Sequence, residues 1–301
     1  MAEWNDHPGF DLTTDLDPGL PIADVAIWYP SSLDPTHRAK VTPDLLRHGF
    51  ERACRVFLDA GVQLRLVSAK TGPVDPRLLA IDSTNNADEH PGDRFVNMYR
   101  AAERRPSRLS SDAETLFRSV IPDVAQAETT VNLIVLQDVY MTFFDQLDFR
   151  TWQRKTISTG GLSFPGYMYG ATMPRHLRGV ITITDVTKDA NSWKTVAHEI
   201  GHKLLNVSHE YRDTAPQHEV RADGGLMLYG AGAEIASGAD GRYHRERLHR
   251  SPFLYRLAEG GREYNPDYAG DGFYYDPIYA DCSVELDDPT PPSPGDGKGG
   301  F

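Results

Sequence analysis

Two short apolar runs flank one amphipathic stretch near the start of the chain, and they constrain the fold more than any other feature. DVAIWYPS (Asp24–Ser31) reads as a buried strand. Thr42 offers an N-cap and Pro43 a preset φ for the first helical position, opening a helix through LLRHGFERACRVFLDA. Gly61 stops that helix, and VQLRLVSA (Val62–Ala69) alternates apolar and polar residues as a half-buried strand does. The unit is β-α-β, a crossover that is right-handed and joins parallel strands. An α/β (α+β) domain is expected.

The remaining segments add to this frame. Residues 1–23 are polar and rich in Asp, Pro and Gly, and read as an irregular extension. Residues 70–129 read as an elaborated connection with short helices near 94–104 and 111–120. VNLIVLQDVY (Val131–Tyr140) reads as one buried strand, GGLSFPG (Gly160–Gly166) as a short edge strand stopped by Pro165, and GVITITDV (Gly179–Val186) as a β-branched strand. A helix is expected around Pro252–Glu259, and the Pro/Gly-rich residues 287–301 are expected to be disordered. One domain over residues 24–286 follows, with an N-terminal subdomain to about residue 206 and a C-terminal subdomain over 207–286.

With 301 residues, 40% hydrophobic and 25% charged, the chain suits a globular protein with a substantial core. Its net charge of −12 disfavours nonspecific binding to nucleic acid. No apolar run is long enough to span a bilayer, so no membrane partner is expected. The opening MAEWNDHPGF lacks the basic start and apolar core of a secretory signal, which points to the cytoplasm and leaves export by another route open. The 2 cysteines, Cys54 and Cys282, are too few for a disulfide framework. Cys54 reads as a small buried hydrophobe of the first helix. Nothing in the sequence sets an oligomeric state.

The chemistry concentrates in TVAHEIGHKLLNVSHE (Thr195–Glu210). Asn191 or Ser192 can cap a helix containing WKTVAHEIGHKLL. At about 100° per residue, His198 and His202 share a face roughly 6 Å apart along the axis. Two imidazoles so placed can hold one zinc ion at about 2.0–2.1 Å. Glu199 lies about a quarter turn away, which suits it as general base toward a water on the metal.

His198, Glu199 and His202 resemble the start of the metzincin motif, H-E-x-x-H-x-x-G-x-x-H, which precedes a methionine-containing turn. The chain reads H-E-I-G-H-K-L-L-N-V-S-H, so it lacks the glycine and carries one extra residue. Asn206 is the next-best residue for a left-handed helix stop. It stands three positions before His209, the offset of glycine in the family. The surplus residue then lies inside the helix, and a π-bulge or a re-aimed loop is expected to absorb it.

The resemblance implies His209 as third zinc ligand, with His218, Glu219, Asp213 and Asp223 as rivals. In GGLMLYG it implies that Met227 forms the methionine turn and that Tyr229 stabilises the oxyanion. The implied fold is a twisted, mostly parallel sheet with an antiparallel edge strand, a backing helix, an active-site helix, and an irregular or helical C-terminal subdomain. The implied activity is peptide-bond hydrolysis with one catalytic Zn2+. An extended peptide or protein substrate would lie along the edge strand near Leu162–Phe164. A zinc-bearing peptide-binding module without catalysis, and a zinc hydrolase of a non-peptide amide, are the alternatives.

Overall fold

The computed structural model describes residues 3–83, 108–146, 151–169, 173–186, 194–207, 225–227, 234–237 and 241–268. In chain order the first elements are β1 (Asn5–Asp6), β2 (Ile22–Ser31), α1 (Pro43–Asp59), β3 (Gln63–Pro73), β4 (Ala80–Asp82) and α2 (Ser111–Val120). Then come β5 (Thr130–Val135), β6 (Asp138–Gln146), β7 (Trp152–Thr159), β8 (Gly161–Ser163), a single turn α3 (Gly166–Tyr169) and β9 (Val180–Ile183). The last are α4 (Lys194–Leu205), α5 (Arg242–Arg250), β10 (Leu254–Ala258) and β11 (Gly261–Tyr264).

The β-α-β unit forms as its residues dictate. Thr42 caps α1, its hydroxyl accepting from the Leu45 amide at 3.3 Å, and Pro43 opens the helix. Leu46, Phe50, Ala53 and Phe57 recur at helical spacing and are buried. Gly61 takes φ 81° and sends the chain into β3, which pairs parallel with β2.

The main sheet runs β1-β3-β2-β5-β9-β8. Strands β3, β2, β5 and β9 are parallel neighbours, while β8 pairs antiparallel with β9 at one edge and β1 antiparallel with β3 at the other. Alternation along β2 sends Val25 and Ile27 to one face, with α1 and α4 residues. It sends Ala26 and Trp28 to the other, with Ala113, Leu116 and Phe117 of α2. The fold is thus mixed α/β, with helices on both faces of a largely parallel sheet. Among the described residues no helix is long and apolar enough to cross a membrane.

Three expectations change. The N-terminal segment does more than trail: His7 and Thr13 donate backbone bonds to the carbonyls of Ala69 and Leu66 of β3, at 2.9 and 3.1 Å, covering carbonyls that an edge strand would expose. Val131–Tyr140 is two strands, because β4 captures the second half: the Gln137 amide bonds to the Leu79 carbonyl at 2.8 Å, and β6 joins β4 and β7 in a separate sheet. The expected helix at Pro252–Glu259 lies one element too late. The helix is α5, which ends before Pro252, and the chain continues into the β10–β11 hairpin, turning through Gly260 and Gly261 at φ 102° and 144°. The expected helix at 94–104 lies outside the described residues, as does the tail 287–301.

The hairpin is tied to the sheet by a charge cluster centred on the buried Asp24. Asp24 accepts from Arg65 Nε and Nη2 at 2.7 Å each, from Arg262 Nη1 at 2.7 Å, and from the Tyr255 hydroxyl at 3.0 Å. Burial, followed by the charge of Asp24, pushes the Tyr255 hydroxyl well above its usual pKa.

Candidate metal centre

Helix α4 directs three kinds of residue to three surroundings. Val196, Ala197, Ile200 and Leu204 enter the core shared with α1 and the sheet. Glu199 and Lys203, one turn apart, lie toward β8. His198 and His202, also one turn apart, bring their rings to a centroid separation of 4.6 Å at 81°.

The histidine nitrogens are held from behind and converge in front. His198 Nδ1 lies 2.7 Å from the Leu226 carbonyl and His202 Nδ1 lies 2.7 Å from the Val207 carbonyl. A carbonyl only accepts, so each Nδ1 carries a proton, and a ring in its neutral form keeps its lone pair on Nε2. The two Nε2 atoms face each other at 3.1 Å. Two lone pairs at that distance repel unless a positive charge lies between them, as a metal ion or as a proton making one ring imidazolium. Two nitrogen ligands of one tetrahedral zinc, each at about 2.0–2.1 Å, lie roughly 3.3 Å apart. Paired Nδ1–H···O=C bonds are also what fixes the tautomer and aim of metal-binding histidines. The spacing of the two nitrogens suits ligands of one shared metal ion, and no third ligand lies among the described residues.

The supporting carbonyls come from two turns. Leu226 is held by its amide bonding to the Glu234 carbonyl at 2.6 Å, beside a bridge between Gly225 and Glu234. Met227 lies against α4: a Cβ on Gly201 would come within 2.7 Å of Met227 Sδ and 3.1 Å of Leu226 Cδ2. Glycine at 201 is what lets this turn pack close against α4. Val207 follows the helix end, where Asn206 takes φ 50°, the left-handed stop its side chain suggests. The helix stays regular over Lys194–Leu205, so the extra residue lengthens it and no π-bulge forms there. Arg247 of α5 donates from Nε to the Leu205 carbonyl and from Nη2 to the Asn206 carbonyl, both at 2.9 Å.

Glu199 sits under the edge strand and is 6% exposed. Its carboxyl is pushed up to about 8 by desolvation, while Lys203 and the Ser163 amide, which donates to it, act in the opposite sense. Burial in turn lowers the Lys203 ammonium well below its usual range, Glu199 opposing. Lys203 Nζ also donates to the Phe164 carbonyl. Gly161 gives Glu199 its room, for a Cβ there would stand 2.8 Å from Glu199 Cγ and 2.9 Å from Oε1.

Strand β8 meets β9 through Gly160 and Leu162, the Thr184 amide bonding to the Gly160 carbonyl at 2.9 Å. Alternation of an antiparallel ladder then turns the backbone groups of Gly161 and Ser163 away from β9. Ser163 Oγ is buried, with no hydrogen-bond partner among the described residues.

Of the residues singled out from sequence, the structure brings His198 and His202 together, sets Met227 against Gly201 of the same helix, and turns Glu199 toward β8. His209 and Tyr229 lie outside the described residues, as do His218, Glu219, Asp213, Asp223, Asn191 and Ser192. Among the described residues, no set of three His, Cys, Asp or Glu side chains could hold a metal ion. Sequence reasoning missed Gly161, Lys203 and Arg247. Lys203 carries the one available signal, a charge at a position where the helix pattern is otherwise apolar. No protein-family model matches the chain, and no curated protein matches it.

Proposed function

We propose that this chain is a zinc-dependent peptidase of metzincin-like build, in which His198, His202 and His209 hold the ion and Glu199 is the general base. The observation that carries the reading is the pair of Nε2 atoms converging to 3.1 Å, with both Nδ1–H groups committed to main-chain carbonyls. Three further features agree with it. An antiparallel edge strand, a parallel strand and the histidine helix follow in the family's order. Asn206 ends that helix left-handed. Met227 packs against α4 at Gly201.

Zinc bound at these rings would supply a Lewis acid that polarises the scissile carbonyl and brings a water's pKa toward neutrality. With zinc bound, the ion's charge would hold Glu199 ionised despite its burial, and the carboxylate would then take the proton of a water and pass it to the leaving amine. Strand β8 binds an extended peptide or protein substrate through the outward backbone groups of Gly161. Tyr229 is assigned to the oxyanion.

The test is metal analysis of the purified full chain after incubation with Zn2+, joined to digestion of a peptide library. Stoichiometric zinc, cleavage by the wild type, and a loss of about 10²–10⁴-fold in Glu199→Gln with zinc retained are expected. Failure to take up zinc would leave the imidazoles sharing a proton and end the reading. Zinc uptake with no cleavage by the wild type would retain the metal centre and shift the assignment to a binding module or a non-peptide amidase.

A further inference from the structure

We propose that Arg247 is a positioning residue of the metal centre: it fixes the left-handed end of α4 from a distant helix and so sets the aim of His202. The inference rests on the metal-binding reading above.

Residue 206 is asparagine at φ 50°, a conformation that a side-chain-bearing residue adopts less readily than glycine. The last carbonyls of a helix have no intrahelical partner, so the chain here needs both a reason to turn and donors for its oxygens. Leu205, Asn206 and Val207 are all buried, which shuts out bulk water as the donor. The Arg247 guanidinium meets both needs. Its Nε and Nη2 bond to two successive carbonyls, Leu205 and Asn206, at 2.9 Å each. A planar fork bridging two carbonyls fixes the peptide planes on both sides of Asn206.

The next carbonyl along, that of Val207, is the one His202 Nδ1 bonds at 2.7 Å. That bond orients the ring whose Nε2 lies 3.1 Å from its neighbour. The path is short and physical: guanidinium, turn, carbonyl, imidazole. It also accounts for the missing glycine, since an arginine supplied by α5 holds the turn that glycine would make easy. Arg247 is itself held, 9% exposed, with its guanidinium 5.7 Å from the Tyr243 ring.

The experiment measures the zinc Kd of the metal-free full chain by competition with a chromophoric chelator, together with the visible spectrum of the Co2+ form. Arg247→Met is expected to bind zinc about tenfold to a hundredfold more weakly, and to alter the cobalt bands. Arg247→Lys should fall between, because one ammonium cannot bridge both carbonyls in a fixed geometry. Asn206→Gly added to Arg247→Met should recover part of the loss. A wild-type Kd and cobalt spectrum in Arg247→Met, with only the melting temperature lowered, overturns the proposal. An equal loss with and without Asn206→Gly does so too. If Arg247→Met does not fold, Arg247→Lys decides, and an unchanged Kd there is fatal. Absence of zinc binding by the wild type would instead sink the metal centre itself.

Discussion

Two clusters of ionisable side chains, one centred on the buried Asp24 and one on the histidines of α4, differ in the kind of bonding that holds them. Around Asp24, an acceptor with about four lone-pair sites receives four hydrogen bonds, from Arg65, Arg262 and Tyr255. Both guanidiniums also lie near the Tyr255 ring, at 5.4 and 4.9 Å. The group is saturated, and it pins β10 and β11 to the start of β2 and β3. Around α4 the carbonyls of Leu226 and Val207 hold the far sides of two rings so that their near sides face each other at 3.1 Å. Saturation makes a joint; arranged convergence of like groups makes a site. A charge cluster is informative about function when its geometry needs something added.

Removing the hub of the joint should give the largest stability effect. Asp24→Ala leaves two guanidiniums without their common acceptor and should cost about 3 kcal/mol, read by urea unfolding. Zinc affinity should stay at the wild-type value, because the carbonyls that orient His198 and His202 belong to Leu226 and Val207 and not to this cluster. A weakened Kd would join the two regions and break the contrast.

Metal should act on the other cluster alone. Zinc at a hundredfold excess over its Kd should stabilise the wild type by about 2.7 kcal/mol, and His202→Ala not at all. Equal stabilisation of both proteins would place the ion elsewhere.

Gly161→Ala probes the close approach of β8 to Glu199. The added carbon meets Glu199 Cγ at 2.8 Å and Thr195 Cγ2 at 2.9 Å, so one of them must move. A cost of about 1–2 kcal/mol is expected, with cleavage falling more than zinc affinity. Full activity would separate strand β8 from the base.

The smallest effect belongs to Ser163→Ala. It deletes a buried hydroxyl that has no partner among the described residues, so stability should change by less than about 1 kcal/mol and toward the stabilising side. A clear loss would give that hydroxyl a role at the site.

Much of the frame was legible along the chain. Thr42, Pro43 and Gly61 mark the ends of α1, and the alternation in Val62–Ala69 marks β3, because capping and burial periodicity act within a few residues. The spacing of His198 and His202 and the left-handed stop at Asn206 are equally local, set by helix geometry and by the asparagine side chain. The break of Val131–Tyr140 into β5 and β6 was not legible, since apolar patterning looks the same whether a strand stays in one sheet or passes to another. Nor was α5, whose basic face gives little apolar period to read.

Sequence alone therefore determined which side chains share a face of α4 and where that helix stops. Tertiary structure decided what each face meets: the Leu226 carbonyl behind His198, the β8 backbone over Glu199, and Arg247 on the helix end. The physical reason is reach. Backbone periodicity places neighbours within a turn, whereas a hydrogen bond at about 2.9 Å between distant segments exists only after the whole chain has closed around its core.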